Sequence, residues 1–93
     1  MAEIAVRIIV AGRVQGVGYR VWAVHEAWRR DIRGWVRNRR DGTVEALLVG
    51  PAKDVEAMIE LCRTGPRHAR IDTITREDAA DDGTPHFHER PTV

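Results

Sequence analysis

The chain has 93 residues, of which 43% are hydrophobic and 31% are charged, and its formal net charge at pH 7 is +1. These values predict one small folded domain over residues 1–93 and exclude a disordered chain. No apolar run could span a bilayer, no secretory signal is present, and the single cysteine excludes an intramolecular disulfide, so we expect a protein of the reducing cytoplasm.

The first third of the chain predicts a strand followed by a helix. Residues Ile4–Val10 are nearly all apolar and rich in β-branched types, which is typical of a central strand buried on both faces. Residues Tyr19 to about Arg30 show the apolar spacing of a helix. The predicted core face of this helix carries Val21, Ala23, Val24, Ala27 and Trp28.

The middle of the chain predicts a hairpin. Residues Arg33–Arg39 form its first strand, with Trp35 and Val36 as the apolar residues. The Asp-Gly pair within Arg40–Thr43 is typical of a tight turn, and Val44–Val49 follows as the third strand.

A second helix follows the hairpin. Gly50-Pro51 opens it, with proline at the first helical position, and Thr64–Pro66 ends it with a glycine and a proline. Its predicted core face carries Val55, Met58, Ile59 and Cys62.

The remaining residues predict a fourth strand, His68–Arg76, and a possible short fifth strand, His86–Arg90. The three-residue spacing of Ile71 and Ile74 suggests a bulge. The order β-α-β-β-α-β predicts an α+β, ferredoxin-like sandwich, in which two helices cover one face of a four-stranded antiparallel sheet. Many unrelated functions use this fold, so the fold alone does not indicate an activity.

A glycine-rich segment, Ala11–Arg20, joins the first strand to the first helix. Gly12, Gly16 and Gly18 allow tight backbone turns and bring N–H groups close to a ligand. A loop that leads into a helix N-terminus favours anions, and Arg20 adds a planar cation suited to phosphate. The glycine spacing matches neither a dinucleotide fingerprint nor a Walker loop, so a plain tight connection remains the alternative.

Asn38 is the second candidate site residue, because the predicted topology could bring the end of its strand near Arg20. The alternative is that Asn38 only supports the hairpin turn that follows it. Spacing alone favours this alternative.

Two motifs in the chain resemble the signatures of the acylphosphatase family. The first is Gly12–Arg20 (GRVQGVGYR), and the second is Gly34–Asn38 (GWVRN) followed by Asp41-Gly42. Gly65-Pro66 and Phe87–Arg90 are similar as well, so the resemblance extends from about Ile4 to Arg90. Two motifs at this separation are far more specific than either one alone.

The resemblance implies hydrolysis of a small acyl phosphate to a carboxylate and inorganic phosphate, without metal or other cofactor. It implies that Arg20 binds the phosphate and that Asn38 holds the attacking water. It also implies that the backbone around Arg20 binds the phosphate through Val14, Gln15, Gly16, Val17, Gly18 and Tyr19. We expect a monomer that has neither a nucleic acid nor a membrane as partner.

Two features depart from the family pattern. Trp28 is bulkier than the family leads us to expect on the first helix, where we expect it in the core or as a partly exposed lid. Arg30-Asp31 stands where the first helix of the family commonly ends in Leu-Gly. Aspartate adopts the left-handed conformation more easily than most residues but less easily than glycine. The departure therefore concerns local stability and not the site.

Three other functions compete with this interpretation. An RNA-binding module shares the fold, and Arg33–Trp35 begins like its motif, but the later aromatic residues of that motif are absent. A phosphate-sensing domain without activity is the second alternative. A fragment of a larger protein that handles carbamoyl phosphate is the third.

The remaining chemically active side chains predict no second site. Cys62 lies on the apolar face of its helix, which indicates a core residue and not a nucleophile. His86 and His88 share a strand face but have no third ligand nearby for a metal, and His25 is expected on an exposed helix face.

Charge is divided unevenly along the chain. Residues 1–40 carry nine arginines and three acidic side chains, a balance of +6, whereas residues 41–93 carry six basic and eleven acidic side chains, a balance of −5. An ordinary solvated surface and a basic lobe that attracts a small anion both remain open.

Overall fold

The computed structural model describes residues 2–93, which form five strands and two helices. In chain order they are β1 (Glu3–Arg13), α1 (Tyr19–Arg29), β2 (Arg33–Asn38), β3 (Val44–Pro51), α2 (Ala52–Cys62), β4 (Arg70–Asp78) and β5 (Phe87–Glu89). The predicted element order is confirmed, including the short fifth strand.

The strands form one sheet in the order β4-β1-β3-β2-β5. The pairs β4–β1, β1–β3 and β3–β2 are antiparallel, as the ferredoxin-like prediction requires. The pair β2–β5 is parallel. The complete sheet is therefore mixed. Residues 79–86 lie between β4 at one edge and β5 at the other, and Asp82 in this segment contacts Trp35 of β2.

The main core lies between the sheet and the two helices. Val6, Ile8 and Val10 of β1 are buried in it, whereas the residues between them are half-buried on the opposite face. The prediction that β1 is buried on both faces was therefore wrong. Arg7 occupies that second face and pairs there with Glu45, so the face is only partly apolar.

Helix α2 packs as predicted, because Val55, Met58, Ile59 and Cys62 are all buried. The helix begins at Ala52, so Pro51 is its N-cap and not its first helical residue. The four buried positions follow one regular helical stripe, which is why the sequence pattern predicted them.

Helix α1 differs from the prediction, because Val21 and Trp28 are exposed by 51% and 57%. The buried residues of α1 are instead Tyr19, Ala23, Val24 and Ala27. The two alanines lie at the centre of this face, and their small side chains allow the helix to approach the sheet closely. The side chains of Val21 and Trp28 lie outside this buried face.

The tight turn predicted before the third strand and the bulge predicted in the fourth strand are both present. In the turn before β3, the Asp41 carboxylate accepts hydrogen bonds from the N–H and the hydroxyl of Thr43. In β4, the pairing register with β1 shifts between Thr73 and Ile71, which leaves Asp72 as the bulge residue. Within residues 2–93, no helix is long and apolar enough to cross a membrane.

Candidate active site

The glycine-rich loop, residues 14–18, connects β1 to α1. Gly16 and Gly18 have φ values of 73° and 80°, in the left-handed region that L side chains rarely adopt. A Cβ at either position would meet nothing within 4 Å, so backbone conformation and not crowding requires glycine there. Gly18 is also the N-cap of α1, and no side chain caps the helix. The N–H groups of the first turn can therefore face an anion.

A small cleft of about 110 Å³ lies at this loop. Four segments meet there: the loop, the first turn of α1, the end of β2, and β5. The cleft is lined by Val14, Gly16, Gly18, Tyr19, Arg20, Val21, Asn38 and Glu89. The structure therefore places Arg20 and Asn38, the two residues with expected catalytic roles, at one cleft.

Gln15 and Val17 of the expected phosphate-binding segment do not line the cleft. The side-chain amide of Gln15 donates to the backbone oxygens of Arg39 at 2.7 Å and Thr43 at 2.9 Å. Gln15 thus connects the glycine-rich loop to the β2–β3 hairpin. Val17 packs against the main core instead.

Tyr19 contributes to the cleft from a buried position. Its side chain is 2% exposed, and its hydroxyl donates to the backbone oxygen of Cys62 at 2.9 Å. Burial raises the pKa of this phenol well above its usual value, so the hydroxyl stays protonated. Tyr19 therefore anchors the start of α1 against α2.

Glu89 is the residue of the cleft that sequence reasoning missed. Its Oε1 lies 3.6 Å from Nε of Arg20, and Arg20 is half-buried whereas Glu89 is exposed. The contact depends on the parallel pairing of β5 with β2, which aligns Glu89 with Val36. No local pattern in the sequence gives this pairing, because it joins segments about fifty residues apart.

The end of β2 is also held by residue 93. The N–H of Val93 donates to the backbone oxygen of Asn38 at 3.2 Å, and the N–H of Arg40 donates to the backbone oxygen of Val93 at 2.8 Å. Val93 therefore bridges the backbone of Asn38 and the backbone of Arg40, at the point where β2 ends.

A larger groove of about 660 Å³ lies between the end of α1 and the start of β5, and it includes neither Arg20 nor Asn38. Its walls are mostly apolar and include Trp28, Ile32 and Phe87. The smaller cleft is the better candidate for chemistry, because an arginine, an amide and glycine-loop backbone meet there.

The sequence profile of the acylphosphatase family matches residues 6–89. The chain belongs to the acylphosphatase family. An acylphosphatase of Nitrobacter hamburgensis is 50% identical over 80 residues, which cover 86% of this chain and 81% of that protein. The crystal structure of the acylphosphatase of Bacillus subtilis superposes with a TM-score of 0.90 at 36% identity, covering 94% of this chain and 98% of the other.

The acylphosphatase fold also occurs within a much longer protein. Full-length HypF, solved in a phosphate- and nucleotide-bound form, matches with a TM-score of 0.89 and 26% identity. The match covers 98% of this chain but only 12% of HypF. Membership of the acylphosphatase family and this fold together support acyl phosphate hydrolysis.

Outside the candidate cleft, Cys62 and His25 lie where the sequence placed them, whereas His86 precedes β5 with a φ of 58° and does not share a strand with His88. Cys62 is buried, and burial raises the pKa of its thiol to about 11, so the reactive thiolate is scarce at neutral pH. His25, His86 and His88 are exposed. Among residues 2–93, no three His, Cys, Asp or Glu side chains are grouped so that they could hold a metal ion.

Proposed function

We propose that the protein hydrolyses the carboxyl–phosphate bond of small acyl phosphates, releasing a carboxylate and inorganic phosphate, without a metal ion. The observation that carries the proposal is the cleft in which Arg20, Asn38 and the glycine-rich loop meet, in a chain of the acylphosphatase family. We further expect the enzyme to act as a monomer in the cytoplasm.

The phosphoryl group binds through the loop and Arg20. Transfer of a phosphoryl group leaves little covalent work to the protein, so positioning and charge stabilisation provide most of the catalysis. Backbone N–H groups of the loop and the Arg20 guanidinium neutralise charge on the non-bridging phosphate oxygens. The left-handed glycines shape the loop backbone, and Gln15 ties the loop to the β2–β3 hairpin.

Asn38 orients the attacking water. A neutral amide has negligible basicity, so Asn38 cannot take a proton, but its side-chain oxygen and NH₂ group can hold water in line with the departing carboxylate. The water oxygen bonds to phosphorus, and the bond from phosphorus to the acyl oxygen breaks. The carboxylate leaves with that electron pair, and a phosphate oxygen accepts the water proton.

The open face of the sheet favours the enzyme over an RNA-binding module. Trp35 lies on this face, and the guanidinium carbons of Arg37 and Arg90 lie 4.6 Å and 5.0 Å from the centre of its ring. Its indole N–H donates to Asp82 at 3.0 Å, and the residue is 7% exposed. A base could stack on Trp35 only after displacing these side chains.

Phosphate release from acetyl phosphate in the presence of EDTA tests the function. The wild-type protein should release phosphate far faster than the buffer blank, and Arg20→Gln should abolish the release, because the loop alone cannot neutralise the phosphoryl charge. Arg76→Gln is the matched control, since Arg76 lies on β4 opposite Ile8 in the middle of β1 and pairs with Glu56 of α2, away from the cleft.

Each result separates the proposed enzyme from its rivals. A folded wild-type protein that binds phosphate without hydrolysing acetyl phosphate would favour the phosphate-sensing domain. Turnover that disappears in EDTA and returns with a divalent cation would contradict the metal-independent reaction.

A further inference from the structure

The candidate cleft carries an acidic side chain that the proposed reaction does not use. Glu89 lines the cleft together with Arg20 and Asn38, and its carboxylate faces the Arg20 guanidinium at 3.6 Å. Within residues 2–93, no other carboxylate lies within ion-pair distance of Arg20, and no other cation lies within ion-pair distance of Glu89. The arginine that would bind phosphate is therefore already paired.

The backbone holds Glu89 firmly at this place. Glu89 pairs with Val36 in the parallel β2–β5 ladder, and Val36 is two residues before Asn38 in β2. The N–H of the next residue, Arg90, donates to the backbone oxygen of Val36 at 2.9 Å. The 42% exposed side chain of Glu89 lies at the rim of the cleft. The carboxylate can turn outward, but its Cα cannot leave the site without loss of the β2–β5 pairing.

This arrangement opposes the binding of anions. A phosphoryl group that binds Arg20 must displace the Glu89 carboxylate, which can turn outward but stays near the cleft because the β2–β5 pairing holds its backbone. Like charges at one cleft repel appreciably at a protein surface, and a further negative charge on the same ligand experiences the same repulsion. A neutral acyl group experiences none.

We propose that Glu89 determines the specificity of the site by charge: it disfavours acyl phosphates whose acyl group carries its own carboxylate, and it weakens retention of the phosphate product. The inference rests on the proposed function for its substrates, but the effect on phosphate binding does not require turnover. Glu89 acts by repulsion, since a protein discriminates ligands through unfavourable contacts as well as favourable ones.

Glu89→Gln tests the inference because it removes the charge and keeps the shape. Titration of inorganic phosphate, followed by ³¹P NMR, should show a dissociation constant about fivefold lower in Glu89→Gln than in the wild type at low salt. For acetyl phosphate and succinyl phosphate, kcat/KM should be measured in parallel. The ratio of kcat/KM in Glu89→Gln to kcat/KM in the wild type should be about three times larger for succinyl phosphate than for acetyl phosphate.

Two further variants keep the test specific. Glu56→Gln is the matched control, because Glu56 pairs with Arg76 between α2 and β4, away from the cleft, and the same loss of charge there should change neither quantity. Glu89→Asp keeps the charge and should keep the preference for acetyl phosphate over succinyl phosphate.

Unchanged or weaker phosphate binding in Glu89→Gln would overturn the inference, and weaker binding would show that Glu89 instead holds Arg20 in its binding position. An equal gain for both substrates would overturn the claim of charge specificity. If even the wild-type protein hydrolyses neither substrate, the proposed function fails, while the phosphate titration still decides whether Glu89 opposes anions at Arg20.

Discussion

Arg20 and Asn38 line one cleft, and the different tasks that we propose for them follow from the chemistry of each side chain. The guanidinium of Arg20 is a permanent cation with several donors, so it can bind the substrate phosphate before, during and after the reaction. The amide of Asn38 carries no charge and is suited to a water molecule. Removal of either side chain should therefore stop turnover for a different reason.

Asn38→Ala should reduce kcat for acetyl phosphate by at least about a hundredfold, because the attacking water loses its fixed orientation. Its dissociation constant for inorganic phosphate should stay within about twofold of the wild-type value, since the loop and Arg20 are unchanged. Arg20→Gln should instead weaken phosphate binding together with turnover. The comparison needs only a phosphate titration and initial rates, and equal losses of phosphate affinity in both variants would contradict the division of tasks.

Some residues of the candidate cleft could be predicted from the sequence, and others could not. Gly16, Gly18 and Arg20 could be recognised because an anion-binding loop requires such residues close together in the chain. Gly12 instead lies in β1, where a Cβ would collide with the Arg70 backbone. Asn38 gained its expected role only from the family resemblance, since spacing alone favoured a turn residue. Glu89 could not be predicted, because its position depends on a strand pairing that no local pattern specifies.

The end of helix α1 shows how an element tolerates a departure from its family pattern. Asp31 has a φ value of 54°, in the left-handed region that glycine adopts most easily. The N–H groups of Asp31 and Ile32 donate to the backbone oxygens of Trp28 at 3.3 Å and Ala27 at 3.0 Å. This is the Schellman arrangement, so the helix keeps its usual end although it lacks the usual glycine.

Asp31→Gly should raise the free energy of unfolding by about 1 kcal/mol, because it removes the cost of a left-handed conformation for a residue with a Cβ. For a domain of this size the melting temperature should rise by about 4–8 °C. Thermal unfolding followed by circular dichroism measures this shift, with Asp31→Ala as the control that keeps the Cβ. A glycine variant no more stable than the wild type would show that the Asp31 side chain itself offsets the cost of the left-handed conformation.

The elements themselves were largely predictable, and the exceptions have physical causes. Helix α2 has a single continuous apolar stripe, whereas α1 has apolar residues on several sides, and packing selected the face with the small alanines over the face with Trp28. The sequence indicated a fifth strand but not its neighbour or direction. Both depend on the path of residues 79–86 between the sheet edges.

Across the whole molecule, several arginines of residues 1–40 form ion pairs with acidic side chains of residues 41–93. Arg7 and Arg37 from the first half both contact Glu45 from the second, and Arg33 contacts Asp81. Arg20 contacts Glu89 in the same way. The pairing favours an ordinary balanced surface over a separate basic lobe, and it links strands that are distant in the chain.

Glu45 should make the stability of the whole domain depend on pH. Its side chain is 6% exposed, and burial alone would raise its pKa, but hydrogen bonds from Arg37 and Arg7 outweigh burial and lower the pKa below its usual value. A lowered pKa in the folded state gives a stabilisation that is complete above the pKa of the unfolded chain. That stabilisation disappears as the pH falls through the folded pKa.

Glu45→Gln should therefore lower the free energy of unfolding by about 2 kcal/mol at pH 7, because two partly buried guanidinium groups lose their common carboxylate. The difference from the wild type should begin to shrink below the ordinary glutamate pKa of about 4.3, and it should disappear as the pH falls through the lower pKa of the folded state. Urea unfolding at a series of pH values measures both quantities. A constant difference between pH 7 and pH 3 would assign the effect to packing instead of charge.

The bridge between Val93 and the backbone around Asn38 has a practical consequence for anyone who prepares this protein. An affinity tag fused directly after Val93 would begin about one hydrogen bond away from the residue proposed to hold water. Such a fusion could yield a well-folded sample with an altered rate. A tag before Met1, or one removed by a protease after purification, avoids mistaking an artefact of cloning for a property of the enzyme.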